Sequence, residues 1–308
     1  MNKHVLLCTM LITCFCLVYT FPPISAAVLD KPAETGKNGP PEVPVGSELD
    51  RQIARWIEQL SAQQPFAAFR GAEWKRYPLG PGTHGWVVIV EKYGEEIGYL
   101  VIHAKPDGSL ILTEYGRGPY PLFSMKTLMR TLEQHGWIIP SEQAEWLLED
   151  RFSAKRVYID PFQAVWEVAA DGETVYFDAV TGEAYPIDEQ TIKRSGPPSG
   201  FPAAAETGPA SEFSSSVAIP SADPFDHVYW VKGNPLQFND AEDLAAAIRK
   251  QKQTTFVHRI FAGSVVRPLA VSGYHVWNDR LLYIVFAQEF GERSIPFFFA
   301  EQGNFYQH

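Results

Sequence analysis

Tyr176-Phe177-Asp178-Ala179-Val180-Thr181-Gly182-Glu183 is a strand running into a tight turn. Its aromatic and β-branched residues suit a pleated surface. Asp178 and Thr181 flank the turn, where their side chains can bond nearby backbone amides. Gly182 supplies a backbone angle that other residues adopt only with strain. Asp178, Thr181 and Gly182 are therefore read as a structural turn motif. A related pattern lies upstream in Gly98-Tyr99-Leu100-Val101-Ile102-His103-Ala104, the turn Lys105-Pro106-Asp107-Gly108, and Ser109-Leu110-Ile111-Leu112. Each copy is a strand, an alanine, a glycine turn and a second strand, with a helical pattern upstream. Two copies of one helix-plus-antiparallel-sheet unit is the economical reading, and it places the chain in the α+β class.

Working outward, Leu49, Ile53, Trp56, Ile57 and Leu60 repeat at helical spacing, and Pro65 ends the pattern. Strands are expected over 86–91, 98–104 and 109–115. The unbroken Val87-Val88-Ile89-Val90 run suits a central strand with both faces covered. Helices follow at Ser124–Gln134, with Ser124 as N-cap and Gly136 just past the end, and at Ser141–Phe152. Strands return at 155–160, 164–169, 174–179 and 184–187. Toward the C-terminus, Asn239-Asp240 caps a helix reaching about Gln251. Strands are expected at 254–261, 267–277, 281–288 and 294–300, with Phe297-Phe298-Phe299 as a buried strand and residues 303–306 closing a sheet.

The opening residues have the three-part design of a secretory signal. Lys3 and His4 make a basic start, Val5–Tyr19 is apolar, and Ser25-Ala26-Ala27 offers small residues to a signal peptidase. The expected division is a signal peptide at 1–27, a Pro/Gly-rich disordered spacer at 28–47, a first module at 48–122, and a second at 123–190. A disordered linker at 191–223 and a C-terminal α+β module at 224–308 complete it. The apolar run is short for a membrane span, so no span is expected once the leader is cleaved; retention as an anchor is the alternative. All three cysteines, Cys8, Cys14 and Cys16, fall inside this leader, so the exported modules would hold together by packing, without disulfides.

Residues 138–187 resemble the PepSY family of small extracytoplasmic domains. The likeness rests on Ile139-Pro140-Ser141-Glu142-Gln143-Ala144, on Val165-Trp166-Glu167-Val168, and above all on the 176–183 string. Residues 48–116 would be a diverged copy, with His103 in place of the aspartate and Pro106-Asp107-Gly108 in place of Thr-Gly-Glu. The resemblance implies a non-enzymatic domain of the kind that accompanies secreted peptidases. The C-terminal region is faintly similar to the second half of papain-like C39-type peptidases, through Leu269-Ala270-Val271-Ser272-Gly273-Tyr274. In that family a histidine precedes the apolar strand. Here Arg267-Pro268 holds the place, and the cysteine-bearing half is missing, which implies a catalytically dead remnant.

Composition narrows the partners. The formal net charge is −10 over 308 residues, which argues against nucleic acid and against an anionic surface bound through bulk charge. A nucleophile needs a base within hydrogen-bond reach. No Gly-x-Ser-x-Gly elbow and no His-Glu-x-x-His helix occurs, so no catalytic residue, metal site or cofactor is read. His103, His227 and His258 fall in strand patterns and read as structural. Paired carboxylates such as Glu95-Glu96 and Glu149-Asp150 sit at turns or helix ends and read as solvated charge. The remaining binding candidates are Tyr274, His275, Trp277 and Asp279, clustered near a turn. With Tyr229, Trp230, Phe305 and Tyr306 they could form an aromatic platform for sugars or peptidoglycan, or they could be core. Whether the C-terminal region has any activity is left open, with the balance against catalysis. The expectation is a secreted or envelope-located binding or regulatory protein that contacts a protein partner, such as an extracellular peptidase, through sheet edges or its acidic surface. The alternative is a cell-wall or carbohydrate-binding protein or hydrolase using His275 and the C-terminal aromatics.

Overall fold

A computed structural model describes residues 34–37, 47–80, 84–138, 153–170, 172–196, 211–226, 228–250 and 253–307. The leader, the 141–152 helix and most of the 191–210 stretch lie outside the described residues. The chain is a mixed α and mostly antiparallel β structure, as the α+β reading expects. Among the described residues, no helix is long and apolar enough to cross a membrane.

Helix α1 (Glu48–Ser61) starts where the sequence places it. The Ser47 hydroxyl accepts the Asp50 amide, and the Asp50 carboxylate accepts the Ser47 amide, a reciprocal cap that satisfies two amides the helix cannot. Its buried stripe is Leu49, Ile53, Trp56, Ile57 and Leu60. A 3₁₀ turn, Gln64–Phe69, follows. Four antiparallel strands come next: β2 (Glu73–Pro78), β3 (Gly85–Lys92), β4 (Glu95–Ala104) and β5 (Leu110–Arg117). Val87, Val88 and Val90 are wholly buried at the centre of β3.

The same order recurs twice. Helix α2 (Met125–Gln134), capped by Ser124, precedes β6 (Ser153–Asp160), β7 (Gln163–Ala170), β8 (Glu173–Asp178) and β9 (Ala184–Tyr185), which form a separate four-stranded sheet. Helix α3 (Glu189–Ser195) follows. Helix α4 (Ala241–Arg249), capped by Asp240, precedes β11 (Thr254–Ile260), β12 (Val265–Trp277), β13 (Leu281–Gln288) and β14 (Gly291–Pro296). Each time, a helix leads four strands paired in chain order.

The first and last of these sets are one sheet. Strand β14 pairs with β5, setting Ser294 against Tyr115 and Arg293 against Gly116. The main sheet therefore runs β2-β3-β4-β5-β14-β13-β12-β11, and β15 (Asn304–Gln307) closes it against β11. One face of this sheet, which carries Trp74, Tyr115, Trp277 and Tyr283, packs on α1 and the 3₁₀ turn. The other packs on the small sheet, with α2 at one end and α4 at the other.

Three sequence expectations change. The 191–223 linker is not all spacer: α3 reaches Ser195, and residues 213–218 form β10, which pairs with β12 from Trp277 to Gly273. Within the 28–47 spacer, the backbone of β1 (Glu34–Lys37) pairs with β2. Phe297-Phe298-Phe299 forms, with Ala300, a single helical turn, α5, after Pro296, because a short apolar run has no periodicity to separate helix from strand.

Candidate functional site

A cluster of buried ionisable side chains lies between the two sheets. It begins with a register fault. Val101 pairs with Glu114 but Ile102 pairs with Leu112, so Thr113 is an extra residue in β5. Such a bulge re-aims the side chains beside it. Leu112 joins the α1 face while Glu114 turns toward the small sheet. The Glu114 carboxylate is wholly buried. It accepts bonds from Arg293 Nε at 2.7 Å and from Tyr158 Oη at 3.2 Å, and Tyr99 Oη also donates to it. Arg293 reaches on to the carbonyl of Pro161. One ion pair thus joins β4, β5 and β14 to β6 and the turn after it. Burial pushes the Glu114 carboxyl up, against the opposing pull of the Arg293 charge and its hydrogen bonds.

The turn motif supplies a second pair. Asp178 Oδ1 accepts the amides of Val180 at 2.9 Å and Thr181 at 2.7 Å and the Thr181 hydroxyl at 3.1 Å. Gly182 follows at φ +78°. These are the bonds the sequence motif implies. The other oxygen, Oδ2, accepts Tyr185 Oη at 2.8 Å and the guanidinium of Arg267. Burial would raise the Asp178 carboxyl, but the Arg267 charge, the Thr181 amide and the Tyr185 hydroxyl outweigh it and hold it at about 2. Arg267 was singled out in the sequence only as the residue standing where a histidine would be. Nothing local to either residue signals the pairing, since 89 positions separate them.

A third carboxylate, Asp160, accepts the amides of Phe162 and Gln163 and the Gln163 side chain. Gln163 Oε1 then takes the Phe261 amide from the main-sheet side at 2.6 Å. Burial raises the Asp160 carboxyl and lowers the imidazole of His258, while the Asp160 charge works the other way on His258.

The four binding candidates are not brought together. His275 and Trp277 share the α1 face of β12, where Tyr115 unites them. Trp277 Nε1 donates to Tyr115 Oη at 3.0 Å, and Tyr115 Oη lies 2.8 Å from His275 Nδ1. Ser294 Oγ lies 3.3 Å from the same nitrogen. Phe66 and Phe213 pack edge-on and tilted against the imidazole. Burial holds His275 neutral, with its pKa lowered to about 4. Tyr274 faces the opposite core, with Arg249 over its ring. Asp279 sits in the β12–β13 turn at φ +57°, its amide bonded to the Ser214 hydroxyl. His103 is buried beside the Thr113 hydroxyl, and burial lowers it to about 4 as well. Of the wider aromatic set, Tyr274, Trp277 and Phe305 are buried, and Tyr229, Trp230 and Tyr306 are half-buried.

Among the described residues, no three His, Cys, Asp or Glu side chains stand together as a metal site. No family model matches the chain, and no curated protein or solved structure matches it either. Chemically, the inter-sheet cluster consists of carboxylates saturated by fixed donors, with an imidazole lowered by burial beside one of them. The carboxylates are held by fixed donors that tie the two sheets together, while His258 Nδ1 is buried without a hydrogen-bond partner among the described residues.

Proposed function

We propose that this chain is a secreted, non-catalytic binding or regulatory protein acting on a protein partner, such as an extracellular peptidase or an envelope protein. The observation that carries this reading is the use of the candidate acid and base groups. Glu114, Asp178 and His275 are all buried and bonded to fixed partners, which suits a scaffold. The leader at 1–27 supports export, and the 176–183 motif supports a PepSY-like character for the second unit. The recurrence of a helix followed by four strands supports three related modules. Arg267, tied to Asp178, supports a structural role for the position where the C39-like pattern would need a histidine.

A cell-wall or carbohydrate contact is the second reading. Its support is a surface aromatic pair, Phe225 and Trp230, with Phe225 66% exposed. Chain purified from a secreting host separates the two. Dose-dependent inhibition or protection of secreted peptidases, without retention on peptidoglycan, is the expected result. Retention on peptidoglycan alone would favour the second reading. A hydrolytic activity lost in His275→Ala would overturn both non-catalytic readings.

A further inference from the structure

The turn between β11 and β12 holds an uncommon backbone. Phe261, Ala262 and Gly263 stand at φ +52°, +53° and +87°. Glycine takes that region freely, but a bulky residue enters it only where its surroundings hold it there. Phe261 is wholly buried, with its ring against Tyr185 of the small sheet. Its amide is held from the same side by Gln163 Oε1 at 2.6 Å.

Gln163 is itself gripped from behind. Its Nε2 donates to Asp160 Oδ2 at 2.5 Å, while Asp160 Oδ1 accepts the amides of Phe162 and Gln163. A side-chain amide bridges in only one orientation between a carboxylate, which accepts, and a backbone N–H, which donates. The hold on Phe261 therefore depends on Asp160 acting as an acceptor toward Gln163. His258 completes the group. Its ring stands edge-on to Phe162 at 5.3 Å and tilted against Phe256, and the Asp160 charge acts on it. Its Nδ1 is buried without a hydrogen-bond partner among the described residues. The other charged groups at this contact already carry partners. Arg267, opposite His258 in the ladder, is paired with Asp178 and bonded to Tyr185. Arg293, which holds the Pro161 carbonyl, is paired with Glu114.

We infer that Asp160, Gln163 and His258 form an acid-released latch, in which a proton gained by His258 draws Gln163 away from the Phe261 amide and loosens the left-handed turn. An imidazolium donates from both ring nitrogens, and the carboxylate that answers it is the one orienting Gln163. When the Gln163 amide is displaced, the Phe261 N–H loses its acceptor, and one of the contacts holding the turn left-handed is gone. The sign follows from burial, which lowers His258 below the 6.5 of a free imidazole. The open form, with its ring hydrated, binds the proton more readily than the closed one. The latch is thus fully closed above 6.5 and loosens as the pH falls through the lowered value. Burial also raises Asp160 from 3.8, so that carboxyl acts with the opposite sign, at the acid end of the range. The device does not depend on the partner-binding reading above.

NMR of the full chain tests it, following the His258 ring and the exchange protection factors of backbone amides as the pH is lowered from above 6.5. The expected result is that the Phe261 amide loses protection with the midpoint of the His258 ring, while Val88 at the buried centre of β3 keeps its own. His258→Phe keeps a ring against Phe162 and Phe256 but takes no proton, so the Phe261 amide stays protected throughout. Gln163→Leu removes the bridge and leaves that amide unprotected at every pH. Circular dichroism checks that both variants fold, and the titration of the unaltered chain stands without them. Protection at Phe261 that does not change across the His258 titration overturns the inference, as does a loss that persists in His258→Phe. So does loss at Val88 in step with Phe261, which marks unfolding of the whole chain.

Discussion

Arg267 on β12 and Asp178 at the end of β8 form an ion pair that fastens the small sheet to the main one, with side chains only 12% and 1% exposed. Asp178 also organises its own turn, so the local motif and the long-range pair share one carboxylate. Removing Arg267 leaves Asp178 buried without its countercharge. Arg267→Ala is expected to cost about 3–5 kcal/mol, the usual loss when half of a buried pair is deleted. Arg267→Met combined with Asp178→Asn should recover part of it, since no orphan charge then remains. Urea denaturation of the two variants measures both effects.

Acid should loosen the fold in a defined window. His103 and His275 are both lowered by burial from 6.5 to about 4. The unfolded chain takes up these protons near 6.5, whereas the folded chain resists until about 4. Their stabilising contribution is therefore fully present above 6.5 and is lost as the pH falls toward 4, up to about 3 kcal/mol for each histidine. The melting temperature should drop across that range, and His275→Gln should flatten the drop.

Tyr115 is the common partner of Trp277 and His275. Tyr115→Phe keeps the ring and deletes the hydroxyl, leaving the Trp277 indole N–H buried without its bond and His275 Nδ1 with the longer Ser294 contact at 3.3 Å. A loss of about 1–3 kcal/mol is expected, read by chemical denaturation, with a shift in the Trp277 emission as the local signature.

Gly182 is held at φ +78°, and a β-carbon there would stand 2.0 Å from the Thr131 hydroxyl on α2. Gly182→Ala should therefore destabilise by about 1–3 kcal/mol through overpacking, in addition to its backbone strain. Adding Thr131→Ala should restore the space but not the dihedral, giving partial rescue in thermal melts.

What the sequence revealed was mainly local. The α1 stripe, the Ser124 and Asp240 caps and the Asp178 turn depend on residues within a few positions of one another, and spacing exposes them. The pairing of β5 with β14 is different. Alternation states that Tyr115 and Ser294 belong to strands, but not that they are neighbours. The Thr113 bulge hid Glu114 from a period-two reading, and Arg293 carried no pattern at all. The serines of β10 looked like linker because an exposed edge and a spacer share the same polar composition. His275 and Trp277 stand two apart on β12 and so share a face, yet periodicity does not tell a buried face from a presented one.

The union of β5 with β14 also sets an order of assembly. The first four-stranded set keeps an open edge at Leu110–Arg117 until residues 291–296 are available. A chain emerging from its N-terminus, through a ribosome or a translocation channel, would have to deliver residues 118–291 before that edge could be sealed. Contacts of such separation are intrinsically slow to form. Sealing of the first set is thus coupled to delivery of β14, and a product cut short of it would display an unsealed strand that quality-control proteases and chaperones can read.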